Sequence, residues 1–219
     1  MFLPYNANAT RDAALMVFRR IVKGHSFREV REESGGVFLP TLLFLTLVPA
    51  LCSAQQTALE LGGKGVNPLK SNAGQLVVLV FVREDCPVSG RYAPTIQRIS
   101  DTHQKDARFY LVFPDGSESP STIRNYLRDF GYSIPGLRDP EHVLVRRAHA
   151  QITPEAAVFD AKGALVYHGR IDNLYETFGR ARPAPTTHEL EDAIQAVLAG
   201  RAPAKKEVAS VGCYISDLQ

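Results

Sequence analysis

Cys86 is the residue of this chain best placed to do chemistry. It follows the apolar run Leu76–Val82 by four residues and directly precedes Pro87, a residue suited to the first turn of a helix. A thiol at a strand-to-helix turn meets unpaired backbone N–H groups and the positive end of the helix dipole. Both favour the thiolate, which is the reactive form. Ser89 brings a hydroxyl that can donate to the sulfur, whereas Asp85 acts against ionisation by placing a negative charge beside it. The competing reading is a buried, inert cysteine, a common fate of free thiols.

Two other cysteines occur, Cys52 and Cys213. Cys213 lies in Val211-Gly212-Cys213-Tyr214-Ile215, beyond a Pro/Ala-rich stretch from Arg201 to Lys206. Three roles stand open for it. It could resolve a mixed disulfide or sulfenate on Cys86, it could form a static disulfide, or it could pair with neither or with another molecule. His103, His142, His149, His168 and His188 show no ligand spacing and read as surface or capping residues. Two thiols and one histidine would suit copper, but nothing in the spacing requires a metal, and no metal or cofactor is expected. Arg91 and Tyr92, one turn past Cys86, read as one solvated and one core residue, and Asp172 and Arg180 as loop and surface ion-pair residues.

These residues must be carried by a fold. Leu76–Val82, apolar throughout and rich in β-branched residues, predicts a central strand covered on both faces. Pro87–Ser100 predicts a helix through Tyr92, Ile96 and Ile99, and Phe109–Phe113 a second buried strand. Ser119-Pro120 caps a helix whose apolar face is Ile123, Tyr126, Leu127 and Phe130. Asp139-Pro140 predicts another, running to about His149. Residues 156–159 and 164–168 flank the turn Asp160-Ala161-Lys162-Gly163 as a hairpin. A capping box of Thr186 with Glu189 opens the last helix, along Leu190, Ile194, Val197 and Leu198. Strand–helix alternation closed by a hairpin and a helix predicts an α/β domain with a mixed sheet between helices.

The chain has 219 residues, 25 Lys+Arg against 23 Asp+Glu, and 45% hydrophobic residues. That suffices for a core and argues against disorder, while a net charge of +2 gives no footprint for nucleic acid. Val37–Leu51 is an apolar run followed by the small residues Cys52-Ser53-Ala54, the pattern of a signal peptide cleaved after Ala54. Lipid attachment at Cys52, or a transit helix over Ala13–Val22, would be the other uses of this region. Residues 1–36 read as leader, 37–54 as signal peptide, 55–204 as the domain and 205–219 as a tail carrying Cys213. The +2 resides in residues 1–54, which hold six basic and four acidic residues. Export, to the periplasm or beyond the cell, with no membrane contact after cleavage, is the expectation.

The segment Phe81-Val82-Arg83-Glu84-Asp85-Cys86-Pro87-Val88-Ser89 resembles the active-site turn of thioredoxin-like redoxins, the group that includes alkyl hydroperoxide reductase/thiol-specific antioxidant domains. Pro94 matches the proline inside the active-site helix of that fold. Ile152-Thr153-Pro154 resembles the cis-proline loop that faces the cysteine, and the hairpin followed by Gly169-Arg170-Ile171-Asp172 completes the likeness over about 61–200. It implies a three-layer α/β/α sandwich with a mixed central sheet and Cys86 as nucleophile. Pro87, Thr153 and Pro154 would shape the partner site.

The departures narrow the chemistry. Thioredoxins carry a second cysteine where Ser89 stands, so no local disulfide can form. Peroxiredoxins carry Thr or Ser three residues before the peroxidatic cysteine, where Arg83 stands, so the peroxide-binding hydroxyl is missing. Thiol–disulfide exchange on a protein or small-molecule disulfide, served by a thiol electron donor, ranks first. Peroxide reduction ranks second, and a binding or copper-handling domain without turnover is the non-enzymatic alternative.

Overall fold

The computed structural model describes residues 57–70 and 74–216. The proposed leader, signal peptide and Cys52 lie outside the described residues. Strand β3 (Leu76–Phe81) forms the centre of an eight-stranded sheet and is buried along its whole length. Its side chains alternate between two cores. Val78 and Val80 join one, Val77, Leu79 and Phe81 the other, so both faces are covered as an all-apolar strand requires.

β4 (Ala107–Phe113) runs parallel to β3, and β7 (Glu155–Phe159) antiparallel on its other side. β8 (Leu165–Gly169) follows β7 as the expected hairpin; at its turn the Asp160 amide donates to the Ala164 carbonyl. Beyond β4 come β5 (Gly136–Arg138), β1 (Ala58–Glu60) and β2 (Gly65–Val66). Beyond β8 comes β11 (Glu207–Val208), parallel to it. Two short ladders stand apart, β9 (Tyr175–Thr177) with β10 (Arg180–Ala181), and β6 (Ile152–Thr153) with β12 (Cys213–Tyr214).

Helices α1 (Pro87–His103), α2 (Pro120–Asp129) and α4 (Glu189–Leu198) supply Tyr92, Ile96, Ile99, Ile123, Leu190 and Ile194 to one core. α3 (Val143–Ala148) supplies Leu144, Val145 and Ala148 to the other. The molecule is an α/β/α sandwich with a mixed central sheet, as expected.

Three local expectations are corrected. α3 begins at Val143, not at Pro140. Asp139 still anchors it, but from a distance, its carboxylate accepting from the amides of Val143, Leu144 and Val145 at 2.8–2.9 Å. The Thr186–Glu189 capping box does not form. Thr186 is drawn to Asn173, whose side chain donates to the Thr186 hydroxyl and accepts from the amides of Thr186 and Thr187, while Glu189 turns to Arg170 and Thr187. Asp172 is not a surface residue. It is buried and accepts the Tyr92 hydroxyl at 2.6 Å, which ties the loop after β8 to α1.

The histidines divide. His142 and His188 precede α3 and α4, and His149 follows α3. His103 is buried at the end of α1, and His168 sits between Glu155 and Glu207.

Residues 207–214, beyond the Pro/Ala-rich stretch, are held by the fold at two places. β11 closes one sheet edge, where Gly169 at φ +143° leaves room that a Cβ would lose to the Val208 backbone. β12 then crosses to β6, the Ile215 amide donates to the Gln151 carbonyl, and the Ile215 side chain is buried in the α3-side core. Burying one isoleucine side chain contributes about 2 kcal/mol to holding that end of the chain down.

Candidate active site at the start of helix α1

Cys86 is the N-cap residue of α1, with extended backbone angles, and its amide is tied to the Arg83 carbonyl by the preceding turn. Pro87 takes the first helical position, where its missing N–H costs nothing. Pro94 lies within the same helix. The residue is only 1% exposed, and its thiol donates to the Thr153 carbonyl at 3.2 Å. The Thr153–Pro154 peptide bond is cis. The resemblance implied this meeting of the cysteine with the cis-proline loop, and the geometry contains it.

Cys213 arrives by a different route. β12 pairs antiparallel with β6 in a register that sets Cys213 opposite Thr153, and the Thr153 hydroxyl donates to the Cys213 carbonyl at 3.3 Å. Both cysteines are free thiols. Cys213 is close enough to Cys86 that each thiol shifts the ionisation of the other. The approach depends on Gly212, because a Cβ there would lie 2.0 Å from the Thr153 oxygen.

The electrostatics separate the two thiols. Burial pushes the Cys86 thiol up, but the neighbouring Cys213 thiol, the hydroxyl and amide of Ser89, and Thr153 outweigh it, and its pKa falls below the ordinary cysteine value. Cys213 goes the other way: burial and the neighbouring Cys86 push it up to about 12. Ser89 Oγ is fully buried and has no hydrogen-bond partner with conventional geometry in the resting structure. A donor left without an acceptor beside a sulfur is satisfied once that sulfur becomes a thiolate. Asp85 is turned away, paired with Arg83 at 2.9 Å and largely exposed, so its opposition to the Cys86 thiolate is muted.

Sequence reasoning assigned no part to three residues around the sulfurs. Arg83 reaches from the Cys86 turn to the Tyr214 carbonyl, at 3.4 Å, and to Asp115, at 3.5 Å, so it holds the end of the chain against the site. Glu155 is buried and its carboxylate accepts from the amides of Gln151 and Ile152, fixing the cis-proline loop. Its signal was a charge at the head of an otherwise apolar strand. Glu118 is buried before α2 and accepts the Glu84 amide at 2.7 Å, while its second oxygen has no partner. Burial pushes its pKa to about 7, and the negative charge of Asp115 adds to the shift against the Glu84 hydrogen bond. Nothing in the local sequence marks it.

Among the described residues, no group of three or more His, Cys, Asp or Glu side chains is placed to hold a metal, so no histidine joins the two thiols. Among the same residues no helix is long and apolar enough to cross a membrane.

No protein-family model matches the sequence, and no curated protein matches it. Solved structures do. A conserved protein of uncharacterised function from Geobacillus kaustophilus is 22% identical, with a TM-score of 0.63, over 73% of this chain and 86% of that one. A hypothetical protein from Sinorhizobium meliloti is 20% identical, with a TM-score of 0.61, over 72% of this chain and 88% of that one. An exposed lipoprotein thioredoxin from Streptococcus pneumoniae is 22% identical, with a TM-score of 0.47, over 65% of this chain and 96% of that one. Likeness at this level concerns the fold, and what the site does rests on its own residues.

Proposed function

We propose that this protein is an exported thiol–disulfide oxidoreductase in which Cys86 is the nucleophile and Cys213 the resolving thiol. The observation that carries the reading is the delivery of Cys213 to the Cys86–Thr153 contact by the β6–β12 ladder. It supplies from the far end of the chain the second thiol that Ser89 replaces in the local motif. The Cys86 thiolate attacks one sulfur of a disulfide RSSR, forming Cys86–S–S–R and releasing RS⁻. Cys213, deprotonated as it attacks, then displaces the second RS⁻ and leaves a Cys86–Cys213 disulfide. Two electrons pass from the dithiol to the substrate, and an external thiol must return them.

Ser89 and the first turn of α1 support the thiolate, while Pro87, Thr153 and Pro154 shape the surface around it. A peroxide would meet Arg83 where a hydroxyl is needed, and that guanidinium is already engaged by Asp85 and Asp115, which supports reading disulfide exchange ahead of peroxide reduction. The apolar run 37–51 and the small residues 52–54, outside the described residues, support export.

The test is dithiol-dependent reduction of a protein disulfide and of oxidised glutathione. Activity that disappears in Cys86→Ser supports the reading. Activity equal to wild type in Cys86→Ser overturns it.

A further inference from the structure

The catalytic cycle proposed above needs two encounters, one with the disulfide to be reduced and one with the thiol that restores the dithiol. The structure separates them. In the reduced protein, residues 213–215 lie on the cis-proline loop through a two-residue ladder and the bond from the Ile215 amide to Gln151. So short a ladder can lift and uncover Cys86. In the oxidised protein the Cys86–Cys213 bond would pin the same segment in place over a sulfur that has almost no exposed surface even without the bond. Cys213, by contrast, is only partly buried and precedes Tyr214, which is 75% exposed.

Resting on that reading, we propose that the thiol which reduces the oxidised protein attacks the sulfur of Cys213, so that the electron donor is held as a mixed disulfide at the end of the chain and Cys86 departs. The step is balanced. RS⁻ attacks Cys213 Sγ, the Cys213–S–S–R bond forms, the Cys86–Cys213 bond breaks, and its electron pair stays on Cys86 as thiolate. A second thiolate then attacks the R sulfur, releasing RSSR and leaving Cys213 to take up a proton.

One further feature agrees. A disulfide opens toward the thiol that leaves more readily, and of the two sulfurs Cys86 is the better stabilised as thiolate. The usual division of labour in a two-thiol site is thereby split by position. The buried sulfur serves the substrate disulfide, and the outer sulfur serves the donor.

The experiment uses the full chain. The protein is oxidised, the Cys86–Cys213 linked peptide is confirmed, reduced glutathione is added, and free thiols are trapped with N-ethylmaleimide at short times before peptide mapping. The expected result is glutathione on Cys213 with maleimide on Cys86, in roughly tenfold or greater excess over the reverse pattern. Glutathione found chiefly on Cys86 overturns this inference alone. Failure to form the linked peptide at the outset overturns both this inference and the resolving role of Cys213.

Discussion

Thr153 holds both cysteines: its carbonyl accepts the Cys86 thiol at 3.2 Å, and its hydroxyl donates to the carbonyl of Cys213, the residue opposite it in the β6–β12 ladder. One residue of the cis-proline loop therefore fixes where the N-terminal thiol of the site points and where the C-terminal one arrives. Disturbing either side of this junction should alter both thiols.

Gly212 is the sharpest place to do so. A Cβ at this position would lie 2.0 Å from the Thr153 oxygen, a backbone atom that cannot step aside. Gly212→Ala is expected to lift β12 from the loop and slow formation of the Cys86–Cys213 disulfide by about tenfold or more, since each 1.4 kcal/mol of lost proximity is a factor of ten. Quantifying the linked peptide over time after addition of oxidised glutathione checks this. An unchanged rate would mean the ladder does not deliver Cys213.

Removing Cys213 should separate its two contributions. Cys213→Ala takes away the neighbour that does most to offset burial at Cys86, so the Cys86 pKa is expected to rise. The same variant has no resolving thiol, so a mixed disulfide on Cys86 should accumulate under turnover with a disulfide substrate. Intact-mass analysis during the reaction reports it.

Glu118 gives a pH dependence of known sign. Its folded pKa of about 7 lies above its ordinary value of 4.5, so the native state holds a proton that the unfolded chain releases first. The contribution is fully present below pH 4.5 and is lost as the pH rises through about 7, a change of roughly 3 kcal/mol. Glu118→Gln keeps an oxygen to accept the Glu84 amide and removes the charge. Urea unfolding at pH 5 and pH 8 should therefore show a smaller fall in stability for the variant than for wild type. Equal falls would remove Glu118 as the cause.

The Tyr92–Asp172 hydrogen bond joins the active-site helix to the loop after β8. Tyr92→Phe leaves Asp172 buried with the Leu174 amide as a remaining donor and is expected to cost about 1–2 kcal/mol. Denaturant unfolding of the variant measures it.

The central strand, the hairpin, the Ser119 cap and the placement of Cys86 were legible because each depends on neighbours in sequence: an apolar run, a Gly-containing turn, a cap followed by proline. Asp172 was misread for the opposite reason. Its burial depends on Tyr92, eighty residues earlier, and no local pattern reports that contact. Thr186 and Glu189 have the spacing of a capping box, yet Asn173 and Arg170 compete for both side chains and win. The two short strands after residue 206 carry no alternation long enough to be read. Their pairing rests on the glycines at 169 and 212, whose missing side chains matter only against Val208 and Thr153. Cys213 was therefore visible as a thiol and invisible as a neighbour of Cys86.

The most direct test is a titration of the Cys86 thiol, followed by the ultraviolet absorbance of the thiolate in wild type, Cys86→Ser and Cys213→Ser. One group is expected to ionise below the ordinary cysteine value of about 8.5, and to be absent from Cys86→Ser but present in Cys213→Ser. A Cys86 that ionises no lower than a free cysteine would contradict the account, because nothing in the site would then distinguish it from an inert buried thiol.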